Sequence, residues 1–134
     1  PSLSDIEYTL RVFADAGIPV SITELDISVL PSAPEHSGAN VTDNVEYADK
    51  YNPYRQSIPD SVLQEQAIRY REIFELFLKY KANIERVTFW GTSDSQSWKN
   101  NYPIKGRTDY PLLFDRGFNP KPAYHSLLEL SDAH

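Results

Sequence analysis

Val20-Ser21-Ile22-Thr23-Glu24-Leu25-Asp26-Ile27-Ser28 decides how the chain is read. Most of this run is β-branched or apolar, the make-up of a buried strand. Two carboxylates interrupt it, at Glu24 and Asp26. Strand residues two apart point to one face, so Glu24 and Asp26 look the same way, together with Ile22. A charge is costly to bury without a partner. The stretch is therefore either a solvated edge strand with polar decoration or a strand that delivers carboxylates to a site at its C-terminal end.

The flanks favour an α/β unit. Upstream, Pro1 to Asp15 reads as a helix with Ser4 as N-cap and Glu7 at capping-box spacing. Ile6, Leu10, Phe13 and Ala14 form its apolar face. Gly17 stops the helix and Pro19 prevents its return. Downstream, Pro31 and Pro34 end the strand. From Pro31 to about Pro59 there is no convincing periodicity, only Ser, Asn, Asp and Pro with the rings of His36, Tyr47, Tyr51 and Tyr54. A connection of that length is often functional, although a decorative surface loop has the same composition.

A second helix opens at Pro59-Asp60-Ser61 and runs to about Lys81. Ala67, Tyr70, Phe74 and Phe77 form its stripe, the spacing of core residues. Ile84 to Trp90 is the second strand, ended by Gly91. An irregular stretch with Trp98, Asn100, Asn101, Tyr102 and Tyr110 follows. Pro120-Lys121-Pro122 then starts a last helix that packs through Ala123, Leu127, Leu128 and Leu130. A strand, helix and strand in succession predict two parallel strands with a right-handed crossover. Two such strands cannot close a core or cover their own edges, so further strands are expected from elsewhere.

Composition narrows the function. The chain has 134 residues, a net charge of −6 and no cysteine. The acidic balance argues against nucleic acid or an anionic membrane surface as partner. No apolar run is long enough to span a membrane. Disulfides and Cys-based metal sites are excluded, and no His or carboxylate cluster has metal-ligand spacing. No cofactor motif is visible. The chain opens on Pro1, holds no methionine, and reads as a piece of something larger, with any signal peptide upstream.

Sites on parallel sheets form at the C-terminal strand ends. The first strand ends in Glu24 and Asp26; the second ends in Trp90, followed by Asp94 and Trp98. Carboxylates and indoles thus converge on one end of the sheet. The indoles suit either core packing or the apolar face of a sugar ring. Glycoside hydrolysis usually needs two carboxylates. Glu24 and Asp26 would stand roughly 6 to 7 Å apart at Cα, but both approach from one side. Glu24 is therefore expected as one member, with the other on a strand outside this chain.

Ile22-Thr23-Glu24-Leu25-Asp26-Ile27 resembles the nucleophile strand of family 10 glycoside hydrolases, the retaining endo-β-1,4-xylanases. Val87-Thr88-Phe89-Trp90-Gly91 with Asp94 and Trp98 resembles the family's last barrel strand and its loop. Pro111-Leu112-Leu113-Phe114-Asp115 and Pro120-Lys121-Pro122-Ala123-Tyr124 resemble its C-terminal signature. The four match in order across nearly the whole chain. The resemblance implies that residues 1–134 are the C-terminal part of a catalytic (β/α)8 TIM barrel, about strands seven and eight. It implies Glu24 as nucleophile and Asp26 as the partner that orients a histidine on a preceding strand. Trp90 and Trp98 would line the subsite of the attacked sugar, with Lys99, Asn100 and Asn101 at its rim. Xylan or a xylo-oligosaccharide would be the substrate, the rest of the barrel a necessary partner, and the location secreted, periplasmic or at the cell surface. The family's Asn-Glu acid/base motif and its histidine strand have no match here; His36, His125 and His134 lie in the wrong places. The chain alone is expected to be inactive. Another β-glycanase of the same barrel type, and a non-catalytic sugar-binding or complementing fragment, are the alternatives.

Overall fold

A computed structural model describes residues 1–32, 49–103 and 105–133. The order is α1 (Leu3–Asp15), β1 (Val20–Leu25), α2 (Asp60–Lys79), β2 (Ile84–Phe89), a short 3-10 turn at Asp94–Gln96, and α3 (Pro122–Asp132). The two strands pair in parallel, as the strand–helix–strand order predicts. The described residues hold two parallel strands and no closed barrel, as expected of a portion of a (β/α)8 barrel. No helix there is long and apolar enough to cross a membrane.

The first helix starts earlier than its sequence signal. Ser2, not Ser4, is the N-cap, and Asp5, not Glu7, completes the capping box. Ser2 is extended, so its Oγ meets the Asp5 N–H at 3.1 Å while the Asp5 carboxylate takes the Ser2 N–H at 3.0 Å. Glu7 is released to reach across to α2, where it pairs with Lys79 and accepts from the Tyr80 hydroxyl at 3.3 Å.

The core lies between the strands and α2. Leu10, Ile73 and Phe77 form one buried cluster, against which Val20, Ile22, Leu25, Ile27 and Val87 pack. Ala67, Tyr70 and Ala123 form a second, joined by Leu25, Phe89, Leu113 and Leu127. Phe74 stacks on Phe89 with centroids 6.0 Å apart. Leu128, expected among the packing residues of the last helix, is 49% exposed; Ala123, Leu127 and Leu130 carry that face.

The strand at 20–28 is shorter than its composition suggests, ending at Leu25. It is also irregular. Ile22 pairs with Val87 and Leu25 with Phe89, so three residues of β1 match two of β2. The extra residue is a bulge, which reverses the alternation. Ile22 and Leu25 both face the helices, and the expectation that Ile22 shares a face with Glu24 is corrected. The change of parity sends Glu24 to the side away from the covering helices.

The chain beyond β1 is held down by α2. Gln66 Nε2 donates to the carbonyls of Ile27 at 2.8 Å and Tyr110 at 2.7 Å. The Tyr70 hydroxyl donates to the Pro111 carbonyl at 2.6 Å, and the Ile27 N–H does so at 3.1 Å. Burial pushes the Tyr70 phenol well above its ordinary range, with the Asp26 carboxylate adding to the effect. Part of the long connection is anchored too. Asn52 is buried, donating to the Gly106 carbonyl at 2.9 Å and accepting from the Thr108 N–H at 2.9 Å. The Tyr54 carbonyl accepts from the Tyr110 hydroxyl at 2.8 Å. His36, Tyr47 and His134 lie outside the described residues.

Candidate active site

Leu25 and Phe89 are register partners, and both pack on the helix side. Their chain neighbours therefore point the other way. The Trp90 N–H donates to the Leu25 carbonyl at 3.1 Å, extending the ladder one step beyond β2. Glu24, Asp26 and Trp90 thus share the inner face at the C-terminal ends of the two strands. Glu24 is exposed, and no described residue hydrogen-bonds or ion-pairs with its carboxylate. Trp90 is 49% exposed and its indole has no ring or hydrogen-bond partner among the described residues. An acceptor-only carboxylate and a bare indole face on one surface suit a hydroxylated ring with one apolar side.

Asp26 is placed differently. Only 10% of its side chain is exposed. The Trp98 indole N–H donates to its Oδ2 at 2.9 Å, and Lys99 Nζ stands 3.4 Å from its Oδ1. The same ammonium lies over the Trp98 ring, 4.6 Å from the centroid. Tyr102 leans against that ring at 5.1 Å. Trp98 is 48% exposed, but three neighbours hold its side chain, whereas among the described residues none holds the indole of Trp90.

The loop after β2 is braced from beneath. Asp94 does not join the inner face with Glu24. It is fully buried, its Oδ1 accepts from the Leu112 N–H at 2.8 Å, and its Oδ2 faces Lys121 Nζ at 3.0 Å. Lys121, also buried, donates to the carbonyls of Tyr110 and Leu112 at 2.7 Å each. Burial pushes the Asp94 carboxyl up and the Lys121 ammonium down, each held back by the other. An aspartate at a strand end reads as a site residue in sequence; here the backbone folds over it.

Asn100 is committed to the same brace. Its amide donates to the Asp94 carbonyl at 2.8 Å, and its Oδ1 accepts from the Asp109 N–H at 3.1 Å and from Arg116 at 2.7 Å. Asn101 is exposed, and its Oδ1 accepts from the Gly106 N–H at 2.9 Å. His125 lies exposed on α3, edge-on to Tyr124. Asp109 carried no sequence signal beyond its charge. It is 1% exposed and accepts from the Ser28 hydroxyl at 2.5 Å, the Tyr110 N–H at 2.8 Å and the Val29 N–H at 3.3 Å. It fixes the exit of β1 below Asp26. Among the described residues no group of His, Asp or Glu is placed to hold a metal ion.

The chain is similar to known proteins along nearly its whole length. The family model described as glycosyl hydrolase family 10 matches residues 1–130. The chain is 36% identical over 130 residues to endo-1,4-beta-xylanase A of Xylanibacter ruminicola, covering 97% of this chain and 35% of that protein. It is 39% identical over 131 residues to a thermostable celloxylanase of Thermoclostridium stercorarium, covering 98% of this chain and 30% of that protein. Among solved structures, a GH10 endoxylanase retrieved from a sugarcane soil metagenome superposes with a TM-score of 0.83 at 49% identity, over 97% of this chain and 35% of that one. The chain spans about a third of the length of these relatives.

Proposed function

The chain belongs to glycosyl hydrolase family 10, and on that premise we propose that it supplies the nucleophile side of a retaining endo-β-1,4-xylanase, as the C-terminal part of the catalytic barrel. Glu24, ionised, attacks the anomeric carbon of a xylose unit and forms a covalent glycosyl-enzyme. A carboxylic acid on another strand of the barrel protonates the departing oxygen. As carboxylate, that group then takes a proton from the water that releases the sugar and frees Glu24. The two carboxyls of a retaining pair stand roughly 5 to 5.5 Å apart across the bond. Asp26 orients a histidine of the preceding strand. Trp90 provides the platform beneath the attacked sugar, with Trp98 beside it. Asn101 is a rim contact; Asn100 contributes through the loop that it braces. The substrate is xylan or a xylo-oligosaccharide, which places the working enzyme outside the cytoplasm.

One observation carries this reading. Glu24 is unpaired among the described residues, on the face it shares with Trp90, at the C-terminal ends of two parallel strands. A fluorinated β-xyloside is expected to label Glu24 in the complete barrel that carries this segment. Labelling of any other residue overturns the assignment. Glu24→Gln is expected to lower kcat by a factor on the order of 10⁴ or more, the scale of losing a nucleophile. A second reading, action on β-1,4-glucan, is favoured by the relative named celloxylanase. Parallel rates on xylan and cellulose decide between the two.

A further inference from the structure

We propose that Lys99 is a positioning residue for the nucleophile strand, acting through Asp26 and the indole of Trp98. The inference rests on the reading of Glu24 as nucleophile and adds a part to it.

Asp26 is two residues beyond Glu24 and shares its face, but unlike Glu24 it is nearly buried. A carboxylate with so little solvent around it depends on the charged and N–H groups that the protein places beside it. Lys99 is the cation within reach, 3.4 Å from Oδ1. The Trp98 N–H takes Oδ2 at 2.9 Å. A carboxylate has about four lone-pair sites, so both contacts leave room for a further N–H. Lys99 does a second thing. Its ammonium lies over the Trp98 ring, so one side chain fixes both the carboxylate and the indole that donates to it. Asp26, Trp98 and Lys99 form a closed triangle in which each member contacts the other two. Its corners come from both strand ends, so it ties the end of β1 to the loop after β2 exactly where Glu24 leaves the sheet.

The Lys99 side chain is 24% exposed, and methionine keeps most of its stem, so the substitution leaves no large cavity. In the complete enzyme, Lys99→Met is expected to lower kcat on xylo-oligosaccharides between about 10- and 100-fold, the usual consequence of a slightly misplaced reacting group. KM is expected to stay within about twofold, and Lys99→Arg to recover most of kcat, since it keeps the charge. Lys99→Gln, which loses the charge but keeps a polar, partly exposed side chain, is expected to lower kcat as well, and it answers the question should Lys99→Met fail to fold. Wild-type kcat in Lys99→Met, a change in KM alone, or Lys99→Arg as impaired as Lys99→Met would each overturn the proposal. Glu24→Gln measured alongside separates the two ideas. If it is inactive while Lys99→Met is unimpaired, the positioning role fails and the nucleophile stands. If it is active, the underlying reading fails.

Discussion

Gly91 sits directly after Trp90, with φ at +134°, a conformation that residues with a Cβ rarely adopt. A Cβ there would also meet Leu112 Cδ1 at 2.9 Å, and Leu112 is fully buried. Gly91→Ala is therefore expected to cost about 1–3 kcal/mol through strain and overpacking. A urea titration checks this, and an unchanged midpoint would mean that the turn has room the geometry denies it. Sequence reading found Gly91 only as the end of a strand; the packing reason needed Leu112, twenty-one positions on. The same limit explains the carboxylates. Glu24 stood out in the sequence because a charge in a β-branched run demands an explanation, and its carboxylate is unpaired among the described residues. Asp94 carries the same chemistry at a strand end and serves the opposite purpose, since residue type says nothing about which backbone N–H groups will close over it.

The helices were legible from periodicity, because an apolar stripe at spacings of three and four has few other uses. What periodicity did not carry was the bulge in β1. Alternation of polar and apolar residues has period two, and a single inserted residue shifts every later side chain without altering composition. Nor did it mark Gln66, a glutamine on a helix that anchors two loop carbonyls. The link between the loop after β2 and α3 belongs to this scale. Lys121 precedes the helix proper and its ammonium serves Asp94 and two carbonyls in a space with almost no solvent. Lys121→Met would leave the Asp94 charge without its cation. The expected loss is about 3–5 kcal/mol, the usual cost of breaking a buried pair by removing one partner. Pairing it with Asp94→Asn should cost less than the sum of the two single changes, because the second substitution removes the orphaned charge. Additive losses from the four-member cycle would show that the ion pair is not what couples loop to helix.

At the scale of the whole chain, the described sheet presents one face to its helices and the other, with Glu24 and Trp90, to open space. Beside β1, an apolar groove of about 580 Å³ runs between the strand and α1, lined by Ile6, Leu10, Phe13, Ile22 and Phe77 among others. A barrel strand paired on one side only, next to such a groove, needs a neighbouring unit to complete both its hydrogen bonding and its burial. The proposed mechanism also calls for a further unit. Double displacement requires a proton donor on the far side of the bond from the nucleophile, and among the described residues the carboxylates of the inner face are Glu24 and a nearly buried Asp26, both from the end of β1. The 134-residue chain assayed by itself is therefore expected to release no reducing sugar from xylan. Supplying the remaining barrel strands as a separate polypeptide is expected to produce activity that depends on both, with Glu24 labelled only in the mixture. Hydrolysis by the isolated chain would mean that a proton donor lies within it. Asp26, freed from Trp98 and Lys99, would then be the first group to test, by the effect of Asp26→Asn on that residual rate.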